Sequence, residues 1–136
     1  MIERNTFGSV TDYPSLKAVY NIYDTACKFH QRKIARFIQE LNMSISEFYK
    51  ISNLDFRLKL LHSIKKDFLD RAEQFEKTEH DLMTHMKCFV NGKFNETIQA
   101  TQAMIKTNSK LSVSALNLKE ISNLAYKLYS LTYKIK

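Results

Sequence analysis

The segment LKAVYNIYDTACKFHQRKIARFIQEL, residues 16–41, decides the fold class. Within it Leu16, Tyr20, Tyr23, Cys27, His30, Ile34, Phe37 and Leu41 follow one another at spacings of 4, 3, 4, 3, 4, 3 and 4. A strand would place its apolar residues at every second position. The heptad spacing instead keeps one stripe of side chains turned toward one neighbour over about seven helical turns. A helix from Asp12 to about Asn42 is therefore expected, with Asp12 as N-cap and Pro14 in the first turn, where its missing N–H is harmless. The preceding residues, 1–12, are polar and include Gly8, Ser9 and Thr11, which reads as a flexible N-terminal arm. Residues 13–136 then form a single helical-bundle domain.

Downstream, Ser44-Ile45-Ser46-Glu47 has the spacing of a capping box and suggests a break at Asn42–Ser44. A second start signal, Ser52-Asn53-Leu54-Asp55, follows closely. The apolar positions Leu54, Leu58, Leu61, Ile64, Phe68, Ala72, Phe75, Leu82, Met86 and Phe89 predict one long central helix over 54–90, ended by Asn91-Gly92. A third helix from about Phe94 and a fourth carrying Leu118, Ile121, Leu124, Ala125, Leu128, Leu131 and Ile135 complete the pattern. The polar run Thr107–Lys110 weakens helix propensity between them. With only 2 Gly and 1 Pro in 136 residues, the turns of a β-rich domain cannot be made. The expected fold is all-α: an antiparallel, up-down bundle of three to four long helices, with no β-sheet. A helix over 54–90 would reach roughly 55 Å, longer than its neighbours, and that mismatch argues for a dimer.

Two cysteines and no secretory leader point to a reducing, cytoplasmic setting, and no apolar run approaches the ~20 residues of a membrane span. The net charge is +7 and unevenly spread. Residues 43–92 balance eight acids with eight bases, whereas 93–136 carry seven lysines against Glu96 and Glu120.

Several constellations bear on chemistry. Cys27-x-x-His30 and His85-x-x-Cys88 have zinc-ligand types, but a fold back near residue 47 would separate them by on the order of 30 Å, so neither metal nor cofactor is expected. His62-Ser63-Ile64-Lys65 resembles the phosphoacceptor helix of histidine phosphotransfer domains. That resemblance implies a phosphorylated His62 steadied by Lys65, although Lys66 stands where that family has glycine. Arg57 and His62 have a spacing similar to the Arg-x4–6-His motif of HEPN-type ribonucleases, with Leu58 where that family has a polar residue. The two glycines cannot build a phosphate-binding P-loop, and no enzyme is expected.

Polyanion binding has more support. Lys28, Arg32 and Arg36 recur every four residues with Lys33 beside them, forming a basic ridge. Near the carboxyl end Tyr126, Tyr129 and Tyr133 form an i, i+3, i+7 row interleaved with Lys127 and Lys134, residues suited to stacking on bases and tracking phosphates. The leading expectation is a non-enzymatic helical interaction protein. It would bind a protein partner, or a second copy as a homodimer, through the Leu16–Leu41 seam, whose tyrosines, Cys27 and His30 suit an interface. The alternative is a sequence-tolerant nucleic-acid-binding protein using the ridge and the tyrosine–lysine end.

Overall fold

The structure is a computed structural model that describes residues 14–107 and 114–133, the side chains of 114–117 excepted. Five helices follow in order: α1 (Leu16–Asp24), α2 (Lys28–Phe48), α3 (Leu54–Glu76), α4 (His80–Thr107) and α5 (Ser114–Thr132). No strand occurs among the described residues, which make an all-helical fold. The helix boundaries differ from those read off the sequence, and each difference has a local cause.

The expected first helix is two. Ser15 rather than Asp12 caps α1, its Oγ accepting from Ala18 N at 3.1 Å; Asp12 and the 1–12 arm lie outside the described residues. The helix then stops at Asp24 without glycine or proline. Thr25 turns its hydroxyl back to donate to Ile22 O at 2.7 Å, and Cys27 adopts an extended conformation (φ −58°, ψ 136°). The break is held by two side chains. Gln31 Nε2 donates to Tyr23 O at 2.7 Å, and the Tyr23 hydroxyl donates to Gln31 O at 2.8 Å. Side-chain bonds thus replace lost helical ones, so the buried backbone groups keep partners.

The break expected at Asn42–Ser44 is absent. α2 runs through it to Phe48, with Ser46 Oγ donating to Asn42 O inside the helix, and the second start signal is the one used: Asn53 Oδ1 accepts from Phe56 N at 2.9 Å. The long central helix is divided at Lys77–Glu79, where Thr78 donates to Phe75 O. Asn91-Gly92 does not end a helix but lies inside α4, with Gly92 buried, so no new helix starts at Phe94. Divided in this way, α3 and α4 extend only about 35 and 42 Å. No helix reaches the roughly 55 Å expected of the central one, α1 spanning only about 14 Å, and among the described residues five helices replace the expected three or four.

The core joins all five helices. α2 packs on α3 and α5, and α4 on α1, α3 and α5. Phe37 stacks on Phe68 with ring centroids 5.2 Å apart and on Phe75 at 5.1 Å. Each such ring stabilises the fold by about 1.5–3 kcal/mol through burial, and the aromatic pairing adds about 0.5–1.5 kcal/mol. Of the inner face expected for the last helix, Leu118, Ile121, Leu124, Ala125 and Leu128 are buried and Leu131 is half-buried, while Ile135 lies outside the described residues. Among the described residues no helix is long and apolar enough to cross a membrane.

Candidate functional site

α2 buries Ile34, Ile38, Leu41, Ile45 and Phe48, a stripe that recurs every three to four residues. The same helical period pushes Lys28, Arg32, Lys33 and Arg36 to the opposite side, and all four are exposed. Phe29, 62% exposed, lies among them, with Lys33 Nζ 4.5 Å from its ring centroid.

α5 runs antiparallel to α2. Ser122 Oγ meets Asn42 Oδ1 at 2.6 Å near one end, and at the other the Tyr23 hydroxyl contacts Thr132 Oγ1. This direction lays the carboxyl end of α5 against the basic half of α2. Two features some ninety residues apart therefore meet. Ala35, Arg36 and Gln39 from α2, together with Tyr129 and Tyr133, line a cleft of about 310 Å³. The two tyrosine rings lie 4.7 Å apart at 40° and are 51% and 40% exposed.

On its other flank α2 borders a second groove of about 390 Å³, shared with α3 and lined by Lys33, Arg36, Glu40 and Arg71 among others. Arg36 belongs to both. Among the described residues Glu40 is the one carboxylate lining either groove, and it is ion-paired with Arg71, whose guanidinium it holds above its ordinary pKa chiefly through their hydrogen bond. The described parts of α2 and α5 carry Lys28, Arg32, Lys33, Arg36, Lys119 and Lys127 against Glu40, Glu47 and Glu120. Of these acids Glu47 is paired with Lys50.

Not every expected residue joins the cleft. Tyr126 is 80% exposed but does not line it, and Lys127 instead lies 5.6 Å above the Tyr20 ring of α1. Lys134 lies outside the described residues. The Leu16–Leu41 seam is largely absorbed by the chain's own core. Tyr23, Ile34, Phe37 and Leu41 are buried, Leu16, Tyr20 and His30 are half-buried, and Cys27 is exposed beside the break. Sequence reasoning missed Phe29 and Arg71. The Phe29–Lys33 pair at i, i+4 was a legible signal, whereas nothing local places Arg71 opposite Glu40.

The enzymatic motifs find different surroundings. Arg57 is 5% exposed with its guanidinium 4.4 Å from the Phe48 ring, while His62 is exposed and lines a separate groove with Lys65 and Lys66. Lys65 Nζ donates to Asn95 Oδ1 at 2.7 Å, and Lys66 is paired with Asp70. The metal argument also needs correction. Residues 27–30 face Glu79 at the start of α4, because His30 Nδ1 donates to Glu79 Oε2 at 2.6 Å and Cys27 N reaches the same oxygen at 3.4 Å. Thr25 shares a groove of about 440 Å³ with Glu79, His80 and His85, so the segments that carry the two motifs are neighbours, although His85 is the one motif residue among those lining it. Even so, no group of three or more metal-ligating side chains assembles among the described residues. Burial pushes the Cys88 thiol pKa up, away from the thiolate that a metal requires.

Comparison with protein-family models, with curated proteins and with solved structures finds no match to this chain.

Proposed function

We propose that this chain is a non-enzymatic helical interaction protein whose binding face is the outer side of α2 with the carboxyl end of α5, and that its partner is a polyanion, with nucleic acid as the reading best supported. One observation carries this: Arg36 of the basic ridge and Tyr129 and Tyr133 of the tyrosine row line one open cleft. Self-association through the seam has less support, since most of that stripe packs inside the chain.

Four ridge cations set the scale. If Lys28, Arg32, Lys33 and Arg36 each neutralise one phosphate of a single strand, the log–log salt slope is about −2.8, so affinity falls roughly 50-fold between 50 and 200 mM salt. Fluorescence anisotropy with a labelled oligonucleotide measures this directly. The double variant Arg32→Glu, Arg36→Glu should weaken binding and flatten the slope by more than one. Salt-independent binding, or none, would refute the polyanion reading.

A protein partner at this face is the second reading, favoured by Phe29 and Met43 on α2, 62% and 66% exposed. It predicts binding that responds little to salt or to the charge reversals, because burial of apolar area would drive it.

A further inference from the structure

We infer that the α2–α5 cleft selects single-stranded over duplex nucleic acid, taking an unpaired base against Tyr129 and Tyr133 while Arg36 holds the adjoining phosphate. The inference rests on the polyanion reading above and deepens it. A ridge of cations alone attracts any polyanion, since phosphate contacts carry no information about pairing. The cleft adds what a ridge lacks. Its aromatic rings are substantially exposed at an open, concave surface, and a flat ring face turned to water is a stacking platform. A duplex hides its base faces in its own stack, so it cannot use such a platform along its length.

The ring geometry limits how a base can bind. With centroids 4.7 Å apart, Tyr129 and Tyr133 already touch, so nothing planar inserts between them. A base must lie against the outer side of the pair, above Ala35, whose small side chain leaves room there. The volume of about 310 Å³ sits at the lower end of small-ligand clefts (~300–1,000 Å³), which suits a base.

Gln39 stands at the rim with both a donor and an acceptor, so it can pair with the edge of any base and confers little sequence preference. Arg36 lies at the boundary of the cleft and the α2–α3 groove, where its planar fork matches a phosphate. A strand crossing α2 would then lay its backbone along Lys33 and Arg36 and turn a base toward α5. Arg71 offsets part of the opposing Glu40 charge, since its guanidinium pairs with Glu40 and also lies 3.8 Å from Asp67. The outer face of α2 from Lys28 to Gln39 spans about 16 Å, so the footprint is short, a few nucleotides.

The test uses the full chain and three probes: a labelled oligothymidylate, a duplex of equal length, and heparin, a polyanion without bases. Tyr129→Leu and Tyr133→Leu are compared with the parent. The expected result is single-strand affinity about 10-fold above duplex, reduced about 5-fold or more by either tyrosine variant, with heparin affinity unchanged. A circular-dichroism melt matching the parent's certifies that the variants are folded, and unchanged heparin binding shows that the ridge is intact. Equal affinity for single strand and duplex, with both variants indifferent, would overturn base stacking and leave the polyanion reading in place. Failure to bind any of the three probes would remove both.

Discussion

Tyr23→Phe tests how the break between α1 and α2 is held. The ring is fully buried, and its hydroxyl meets Gln31 O at 2.8 Å and Thr132 Oγ1. Phenylalanine keeps the ring and its packing and deletes only the oxygen. Gln31 O lies within α2 and retains its helical bond, so it is not stranded, whereas Thr132 Oγ1 loses a buried partner. Two hydrogen bonds at about 0.5–1.5 kcal/mol net each give a loss of about 1–3 kcal/mol. For a domain of this size that lowers Tm by roughly 3–10 °C. Urea unfolding followed by circular dichroism should show a lower midpoint with an unchanged slope, because the surface exposed on unfolding is the same. A double-mutant cycle with Thr132→Val isolates the link between α1 and α5, and a coupling of about 1 kcal/mol is expected. Alkali supplies an independent check. Burial is the main reason the Tyr23 pKa lies above its usual 10.0, partly offset by the Thr132 hydrogen bond. Its folded pKa therefore exceeds its unfolded one. The stability this confers is complete below about pH 10 and is lost as pH rises through the folded value. Tyr23→Phe should accordingly blunt the alkaline loss of stability. A variant within ~0.3 kcal/mol of the parent, with the same alkaline profile, would refute the clamp.

Other outcomes follow from single sites. Phe68→Ala removes a 2%-exposed ring stacked on Phe37 and should cost about 3–5 kcal/mol, measured by the same urea titration. Arg57→Met should be neutral or stabilising by about 1 kcal/mol or more. The charge is buried, its Nε has no hydrogen-bond partner among the described residues, and methionine keeps the contact with Phe48 without the desolvation. Thiol labelling with iodoacetamide at pH 8, read by mass spectrometry, should modify exposed Cys27 well before Cys88. Burial pushes the Cys88 thiol above its ordinary range, Lys87 only partly opposing, so little thiolate is present there.

The candidate site was half legible in the sequence. Lys28, Arg32, Lys33 and Arg36 are a local pattern on one helix, and periodicity alone puts them on the outside opposite Ile34 and Ile38. The tyrosine row is equally local. Their meeting is not, because it depends on α5 returning antiparallel beside α2, which the Asn42–Ser122 contact and the Tyr23–Thr132 link register. Lys127, expected to serve beside the tyrosines, is turned over Tyr20 by the same docking.

What the sequence by itself determined is the all-helical class, the apolar face of each helix and the outward side of the basic ridge, since these follow from a period of 3.6 residues and the near-absence of Gly and Pro. Where the helices end was decided in three dimensions. The heptad runs unbroken across Thr25–Cys27, yet the chain turns there because Gln31 and Tyr23 bond across the gap. The 54–90 stripe skips from Phe75 to Leu82, and the chain turns inside that gap, where Glu79 is drawn to His30 and the N-terminus of α2. Conversely the capping box at Ser44 goes unused, and Gly92 stays inside α4, where the core requires a small residue more than the chain requires a stop. Capping and breaking signals carry about 1 kcal/mol apiece, and burial of a single Phe37 or Phe68 outweighs them.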